Sequence, residues 1–425
     1  MSILIKNIRS LIQVSRTPGK PVRGAAMKTL PVIEDAFLLI ENGLVSDYGP
    51  MSGLDSAKRA VRVIDATGRL VFPCWCDSHT HLVYAGSREQ EFADRINGLS
   101  YEDIAKRGGG ILNSARKLRE ASEEELILSA KKRLDEICST GTGAVEIKSG
   151  YGLTLESELK MLRVVRALKK ESALTIRATF LGAHAVPEEF SGKKDKYIDL
   201  LIHEMIPAVS EEKLADYCDV FCERGYFTRE ESEKILGAAV DHGLIPKVHA
   251  NQLSRSGGVQ AGINSGAASV DHLEYVEQEE IDALLASNTI PTILPGAQWF
   301  LQLPHPPARK MIDAGLPLAI ASDYNPGSCP SGNMGFMLSI ACVQYKLTPE
   351  EAINAATLNS SFAMGLADSH GSITKGMKAN VFLTGEIPAY SFIPYSFANN
   401  QVETVILNGE VTWEKKEHAF ESTSK

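Results

Sequence analysis

The sequence lacks several features that would assign it to a specialised protein class. Its 425 residues contain no uncharged apolar run that approaches the length of roughly 18–20 residues that a membrane-spanning helix requires. The N-terminus has no charged segment followed by an apolar core and a small-residue cleavage site, so no secretory leader is predicted. With 44 basic against 53 acidic residues, no basic excess favours nucleic acid or anionic membranes. We therefore expect a cytoplasmic protein with no nucleic-acid or membrane partner.

Cysteine is also sparse. The seven cysteines are Cys74, Cys76, Cys138, Cys218, Cys222, Cys329 and Cys342. An odd, dispersed set in a long chain indicates reduced thiols rather than a disulfide framework. Hydrophobic residues make up 44% of the chain and charged residues 23%, which are ordinary proportions for a globular enzyme. The apolar content is therefore sufficient for a full core.

Both ends of the chain have the pattern of β structure. Residues 1–68 contain short apolar segments separated by turns such as Asn42-Gly43, and residues 372–425 contain a hairpin signal at Asn408-Gly409. A different pattern separates the two ends. We therefore predict that 1–68 and 372–425 combine into one small composite β-sandwich domain.

The middle of the chain alternates between apolar strands and helices. Ser122 and Thr228, each followed three positions later by glutamate, are typical of capping boxes at helix starts. Eight candidate strands are 69–76, 143–148, 174–182, 218–223, 245–250, 268–273, 289–294 and 316–322. This alternation predicts a (β/α)₈ TIM barrel over residues 69–371. A doubly wound sheet is the alternative, because periodicity does not distinguish the two.

Polar residues gather where these strands end. They are Asp77, His79, His81, His184, Glu223, His249, His272 and Asp323. Barrel enzymes build their sites at the carboxyl ends of the strands. In extended backbone, His79 and His81 share one face with Cα atoms about 6.6 Å apart, so both imidazoles can bind one ion. His249 and Asp323 can add a third nitrogen and a carboxylate, which predicts a catalytic metal site open to water.

These elements resemble the amidohydrolase superfamily and, more closely, its imidazolonepropionase family. The first likeness rests on segment 77–81 together with His249, His272 and Asp323. The closer likeness rests on three motifs, 146–153 (EIKSGYGL), 180–187 (FLGAHAVP) and 322–328 (SDYNPGS). The resemblance spans the whole chain, and motifs of this length are specific where the superfamily elements alone are not.

The resemblance also implies which residues bind the metal ion and which contact the substrate. It implies that one divalent metal ion, zinc or iron, binds to His79, His81, His249 and Asp323. Its substrate contacts are Arg88, Tyr151, His184, Asn325, Gly327 and Ser328. In some family members, glutamate stands three positions after the metal histidine of strand five and acts as acid and base. Gln252 occupies that position here; a neutral amide orients substrate but takes no proton, which leaves acid–base work to Asp323 and His272.

The chemistry of three side chains, Arg88, Tyr151 and Lys148, also predicts a role without the resemblance. The guanidinium of Arg88 suits a carboxylate such as a propionate tail, with a surface salt bridge as the alternative. Tyr151, between two glycines, is expected on a tight turn facing the pocket, with a packing aromatic as the alternative. Lys148 is expected to be structural or to pair with a carboxylate such as Glu223.

The resulting hypothesis is hydrolysis of a small cyclic amide that carries a carboxylate. The resemblance implies 4-imidazolone-5-propanoate as substrate, N-formimino-L-glutamate as product, a place in histidine degradation and, by analogy, a homodimer. Asp323 would accept the proton of water, and His272 or His184 would polarise the ring carbonyl. A nucleobase deaminase and a non-catalytic barrel that only binds ligands are the rival hypotheses.

Overall fold

A computed structural model describes residues 2–14, 19–55, 60–99, 103 and 107–416. Both ends of the chain form one mixed sheet with the strand order β16-β15-β14-β5-β1-β2-β3, and β4 pairs with β1. Its strands are β1 (Ser2–Ile12), β2 (Val32–Glu41), β3 (Leu44–Pro50), β4 (Arg62–Asp65), β5 (Arg69–Pro73), β14 (Val381–Glu386), β15 (Val402–Leu407) and β16 (Glu410–Glu414). The predicted composite β structure is therefore confirmed.

Two hairpin turns, one between β2 and β3 and one between β15 and β16, meet where the N-terminal and C-terminal parts of this domain pack together. Asn42 and Gly43 have φ of 53° and 80°, and Asn408 and Gly409 have φ of 52° and 78°, the left-handed pairs of a two-residue turn. The tips also touch, because a Cβ on Gly43 would lie 2.8 Å from the Asn408 oxygen. Glycine is therefore required there by the packing of the two turns as well as by their backbone angles.

A second sheet of eight parallel strands, β6 to β13 in chain order, forms the barrel. Its strands are β6 (Trp75–Thr80), β7 (Thr142–Lys148), β8 (Thr175–Ala183), β9 (Tyr217–Cys222), β10 (Ile245–Ala250), β11 (Ser269–His272), β12 (Ile290–Ile293) and β13 (Ala319–Ile320). The ring closes beyond β13, where Asp323 N–H donates to His79 O at 3.0 Å and His81 N–H donates to Tyr324 O at 2.9 Å. The predicted (β/α)₈ barrel is confirmed, and its closure lies among the candidate ligands.

The single strand expected over 69–76 is wrong. Residues 69–73 pair with β14 in the mixed sheet, whereas Trp75 pairs with Thr142 in the barrel. The aromatic rings of Phe72, Trp75 and Phe382 pack around this crossing, with centroids 5.0–5.9 Å apart. Because residues 70–76 are buried and apolar on both sides of the break, hydrophobicity gives no sign of it. The division into 1–68 plus 372–425 and 69–371 stays a prediction.

Helices cover the outside of the barrel. In the described part of the chain, the α-helices with defined bounds are α1 (Glu89–Ile96), α2 (Ile111–Glu120), α3 (Glu123–Ser139), α4 (Leu155–Glu171), α5 (Lys194–Leu200), α6 (Ile206–Glu211), α7 (Arg229–Asp241), α8 (Gly258–Asn264), α9 (Gln278–Leu285), α10 (Pro295–Leu301), α11 (Ala308–Ala314), α12 (Met334–Tyr345), α13 (Pro349–Asn354), α14 (Ser360–Ala363) and α15 (Phe392–Tyr395). Short 3₁₀ or π turns occupy Gly24–Lys28, Met51–Gly53, Glu188–Phe190, Leu201–Met205 and Ala355–Asn359.

The predicted helix starts agree with this arrangement. Ser122 and Thr228 each form a capping box with the glutamate three positions later, at the start of α3 and α7. Among the described residues, no helix combines the length and the apolar character needed to cross a bilayer.

Candidate active site

The site begins with His79 on strand β6, whose Nδ1 lies 2.6 Å from Oδ2 of Asp271. Burial, with the nearby Lys148 ammonium, holds the pKa of His79 well below its usual value. The neutral ring therefore donates Nδ1–H to the carboxylate and carries its lone pair on Nε2. This nitrogen is fully buried and has no hydrogen-bond partner among the described residues. An imidazole oriented by a carboxylate with a free Nε2 is the arrangement of a metal ligand.

The other three predicted ligands converge on the same point. Oδ1 of Asp323 lies 3.6 Å from Nε2 of both His79 and His81, and Nε2 of His249 lies 3.3 Å from Nε2 of His81. Atoms that bind one zinc ion at about 2.1 Å lie about 3–4 Å from one another. On the opposite side of its ring, Nδ1 of His249 lies 3.0 Å from Oδ2 of Asp219. The donor set therefore fits one ion.

Beneath these donors lies a fully buried group of charges. It comprises Glu146, Lys148, Asp219, Lys247 and Asp271, each with 0% exposure. Three carboxylates exceed two ammonium groups by one negative charge, and Asp323 above them adds another. Asp77 is a further carboxylate with 0% exposure, and burial raises its pKa to about 7. Because uncompensated buried charge is costly, the charge count also fits a divalent cation.

Lys148 pairs with carboxylates, as expected, but Glu223 is not one of them. Its Nζ lies 2.5 Å from Oε1 of Glu146 and 2.7 Å from Oδ2 of Asp219. Glu223 instead accepts the backbone N–H of Leu253 at 2.9 Å, so it braces the loop that carries Gln252. The sequence favoured Glu223 as the partner of Lys148 because Glu223 ends a strand. The actual partners are carboxylates that lie within the strands.

His184, after strand β8, is fixed in one tautomer. Its Nδ1 lies 3.0 Å from the Gly150 carbonyl oxygen, which can only accept a hydrogen bond, so Nδ1 carries the proton. Burial lowers the pKa of His184 to about 3, and the ring is neutral. Nε2 is therefore an acceptor, and the ring stacks on His81 with centroids 5.1 Å apart.

The loop that supplies this carbonyl is braced by Glu158. Its carboxylate accepts the N–H groups of Gly150, Gly152 and Leu153 at 3.1, 2.8 and 2.8 Å. Gly150 has φ of 104°, which favours glycine, and Tyr151 beside it is buried with its ring 5.8 Å from that of His81. Glu158 thus places Tyr151 at the site.

His272 reaches the site because its own backbone has an unusual conformation. Successive residues of a strand point to opposite faces, yet both Asp271 and His272 approach the site. The φ of 87° at His272 accounts for this, because it turns the side chain back toward His79, with ring centroids 5.5 Å apart. Burial alone would lower the pKa of His272, but Glu274 and then Asp323 outweigh burial and raise it. This ring is the better proton donor of the site.

Asp323 opens a tightly bonded loop. Asn325 Nδ2 donates to Asp323 O at 2.7 Å and to Ser328 Oγ at 2.6 Å, and Oδ1 accepts from Gly327 N at 2.7 Å and Ser328 N at 2.8 Å. Ser328 Oγ in turn donates to Oδ2 of Asp323 at 3.1 Å. The Asn325 amide therefore shapes the loop, while burial raises the pKa of Asp323.

Arg88 lies against this loop. Its Nε and Nη2 donate to Oε2 of Glu91 at 2.8 and 2.6 Å. A Cβ added to Gly327 would lie only 2.1 Å from Nη1, so the guanidinium lies flat against that glycine. The salt bridge expected as the alternative is present, with Glu91, but it does not lie on the surface, since the Arg88 side chain is 8% exposed.

A single cavity of about 420 Å³ gathers these groups. Its lining includes these predicted residues: His81, Arg88, Tyr151, His184, His249, Gln252, His272, Asp323, Asn325, Gly327 and Ser328. His79 lies beneath it. Sequence reasoning missed the apolar wall, which includes Phe92, Phe221 and Phe300, because such residues have the pattern of ordinary core. It also missed Asp219, Asp271 and Lys247, although charged residues inside apolar strands were a usable signal.

Comparison with known proteins agrees with this geometry. Residues 70–412 match the model of the Amidohydrolase family. The chain is 56% identical over 411 residues to the imidazolonepropionase of Flavobacterium johnsoniae, covering 97% of this chain and 100% of that protein. It is 53% identical to the imidazolonepropionase of Christiangramia forsetii, with the same coverage.

A solved structure supports the fold alone. An adenosine deaminase from Xanthomonas campestris, with bound zinc, superposes with a TM-score of 0.72 at 16% identity and covers 98% of this chain and 93% of its own. At this identity, the likeness extends to the barrel and its attached sheet and carries nothing about the reaction of this chain.

Proposed function

Since the chain belongs to the amidohydrolase family and, within it, to the imidazolonepropionases, we propose that it opens the ring of 4-imidazolone-5-propanoate by hydrolysis. The product is N-formimino-L-glutamate, formed in histidine degradation. The observation that carries the proposal is the shared cavity: a buried guanidinium at Arg88 and the histidine–aspartate cluster line the same 420 Å³ space. A carboxylate-bearing ring that is held by Arg88 can therefore meet the cluster.

The cluster of His79, His81, His249 and Asp323 would hold one divalent ion, zinc or iron. His₃Asp suits either metal. When bound, the ion supplies Lewis acidity, which lowers the pKa of water toward about 7 and polarises a carbonyl. The orphaned Nε2 of His79 and the excess buried negative charge support this assignment.

Asp323 carries the proton through the reaction. Its carboxylate takes a proton from the attacking water as the water oxygen bonds to the ring carbonyl carbon. It then returns this proton to the ring nitrogen as the C–N bond breaks. The products are the formimino group and a carboxylic acid, which ionises to a carboxylate by releasing the second proton of the water.

The two remaining histidines differ in role. His272, whose pKa is raised, donates to the carbonyl oxygen as negative charge develops there. His184 has only a lone pair to offer on Nε2, so it accepts the ring N–H of the substrate. Of the two histidines considered for polarising the carbonyl, His272 is therefore the one that we assign to this role.

The other predicted contacts orient the substrate. Arg88 pairs with the propionate, and Tyr151 and Gln252 line the cavity beside the ring. Gly327 and Ser328 contact the tail, and Asn325 acts mainly by shaping their loop. The homodimer stays a prediction.

One assay tests this function. Purified metal-loaded protein should consume imidazolone propionate, followed by loss of its absorbance, and should release no ammonia from cytosine or guanine. A chelator should stop the reaction, and either zinc or iron should restore it. Ammonia release from free bases, with imidazolone propionate unchanged, would contradict the proposal in favour of a deaminase.

Gly327→Ala tests whether the guanidinium position matters. Because the new methyl group would lie 2.1 Å from Nη1, Arg88 must move away from the substrate tail. We expect KM to rise about tenfold, equivalent to one lost charge-assisted hydrogen bond, with kcat nearly unchanged. Gly237→Ala is the matched control, since a Cβ there meets nothing within 4 Å. Steady-state kinetics that show the same KM for both variants would contradict the prediction.

A further inference from the structure

Lys148, at the end of strand β7, has no part in the mechanism above, yet it lies fully buried beneath the ligands. Its Nζ lies 2.7 Å from Oδ2 of Asp219 and 3.8 Å from Oδ2 of Asp271. These are the carboxylates that face Nδ1 of His249 and of His79. One ammonium group therefore contacts the partners of two ligands that come from different strands.

We propose that Lys148 is a positioning residue of the metal centre, which fixes His249 and His79 together through Asp219 and Asp271. The inference rests on the proposed metal site. It names a role for a side chain that contacts neither substrate nor ion.

The contacts explain how such positioning works. Asp219 has one oxygen toward the ring of His249 and the other toward the backbone N–H of His249, at 3.1 Å. Lys148 holds the first oxygen in place, so the carboxylate cannot follow a rotation of the ring. Such a rotation would break the contact between Nδ1 of His249 and Oδ2 of Asp219. Asp271 is held from its other side by Ser269, whose Oγ donates to Oδ1 at 2.6 Å. Partners of this kind typically change metal affinity about 10- to 100-fold when removed.

Lys247 provides a matched control within the same network. It is also fully buried and also pairs with Glu146, and its Nζ donates to Ser78 O at 2.9 Å. In the described part of the chain, its one ion-pair partner is Glu146. Lys247→Met thus removes a buried cation that has no ion-pair contact with Asp219, although its charge, like that of Lys148, stabilises the Asp271 carboxylate. The two variants therefore differ in the contact to Asp219.

The experiment measures zinc affinity rather than turnover. Holoenzyme of the wild type, Lys148→Met and Lys247→Met would be titrated with a chromophoric chelator that competes for zinc. We expect the zinc Kd to rise about 10- to 100-fold in Lys148→Met and to stay near the wild-type value in Lys247→Met. Thermal unfolding should show that both variants lose stability, so a general structural role would not separate them. An unchanged Kd in Lys148→Met, or an equal rise in Lys247→Met, would overturn the proposal.

A second variant covers the case in which Lys148→Met fails to fold. Lys148→Met combined with Asp219→Asn removes one positive and one negative charge, so the buried balance is kept. Because Lys148 lies 2.7 Å from Asp219 and 3.8 Å from Asp271, most of its effect should pass through Asp219, and the double variant should bind zinc nearly as Asp219→Asn alone does. A zinc Kd of the double variant more than about tenfold above that of Asp219→Asn would overturn the inference while leaving the metal site intact. A wild-type protein that binds no zinc or iron would instead contradict the metal site of the proposed function, and the inference with it.

Discussion

Asp323→Asn is expected to lower kcat by at least about 10³-fold, because the amide can neither take the proton of water nor return it to the ring nitrogen. The side chains are nearly equal in size, so the barrel should remain folded. Asparagine Oδ1 can still face His79 and His81, whereas the carboxylate that accepts from Ser328 is lost. Steady-state rates with imidazolone propionate measure the effect.

Two controls separate the proton role of Asp323 from a loss of metal or of fold. Metal analysis of purified Asp323→Asn shows whether the ion is retained, and circular dichroism with thermal unfolding reports the fold. Asp313→Asn, at a side chain that is 60% exposed, should keep wild-type rates. A metal-loaded Asp323→Asn enzyme with full turnover would contradict the proposed mechanism.

Arg88→Ala is expected to raise KM by about 10- to 100-fold, with a smaller change in kcat, because charge-assisted hydrogen bonds to the propionate are lost. The KM of Arg88→Lys should lie between those of the wild type and Arg88→Ala, since an ammonium keeps the charge without the planar fork. Kinetics at varied substrate concentration distinguish the two parameters.

A truncated substrate gives the sharper control for Arg88. An imidazolone ring without the propionate tail should be turned over at similar kcat/KM by wild type and Arg88→Ala. Arg116→Ala, which removes an exposed guanidinium paired with Glu188, should leave the KM for the full substrate unchanged. An unchanged KM in Arg88→Ala would remove the carboxylate-anchor role and leave the ring chemistry untouched.

Much of the barrel was predictable because its signals are local. The apolar segment 245–250 and strand β10 share the same bounds, and the capping glutamates mark where helices begin. The prediction of one strand over 69–76 is wrong for a physical reason. The chain passes here from one buried sheet to another, and the residues around the crossing are apolar in both sheets. Hydrophobic patterning reports burial and not which sheet provides it.

The sequence by itself determined which residues we propose as metal ligands. His79 and His81 share a face because strand side chains alternate, and His249 and Asp323 join them because parallel strands end at one rim. Only the tertiary structure decided how these ligands are held. The Asp271 contact to His79 spans 192 residues, and the left-handed φ of His272 breaks the alternation that the pattern assumes. Such contacts depend on which strands neighbour one another in the closed sheet, and no local preference of either residue encodes that.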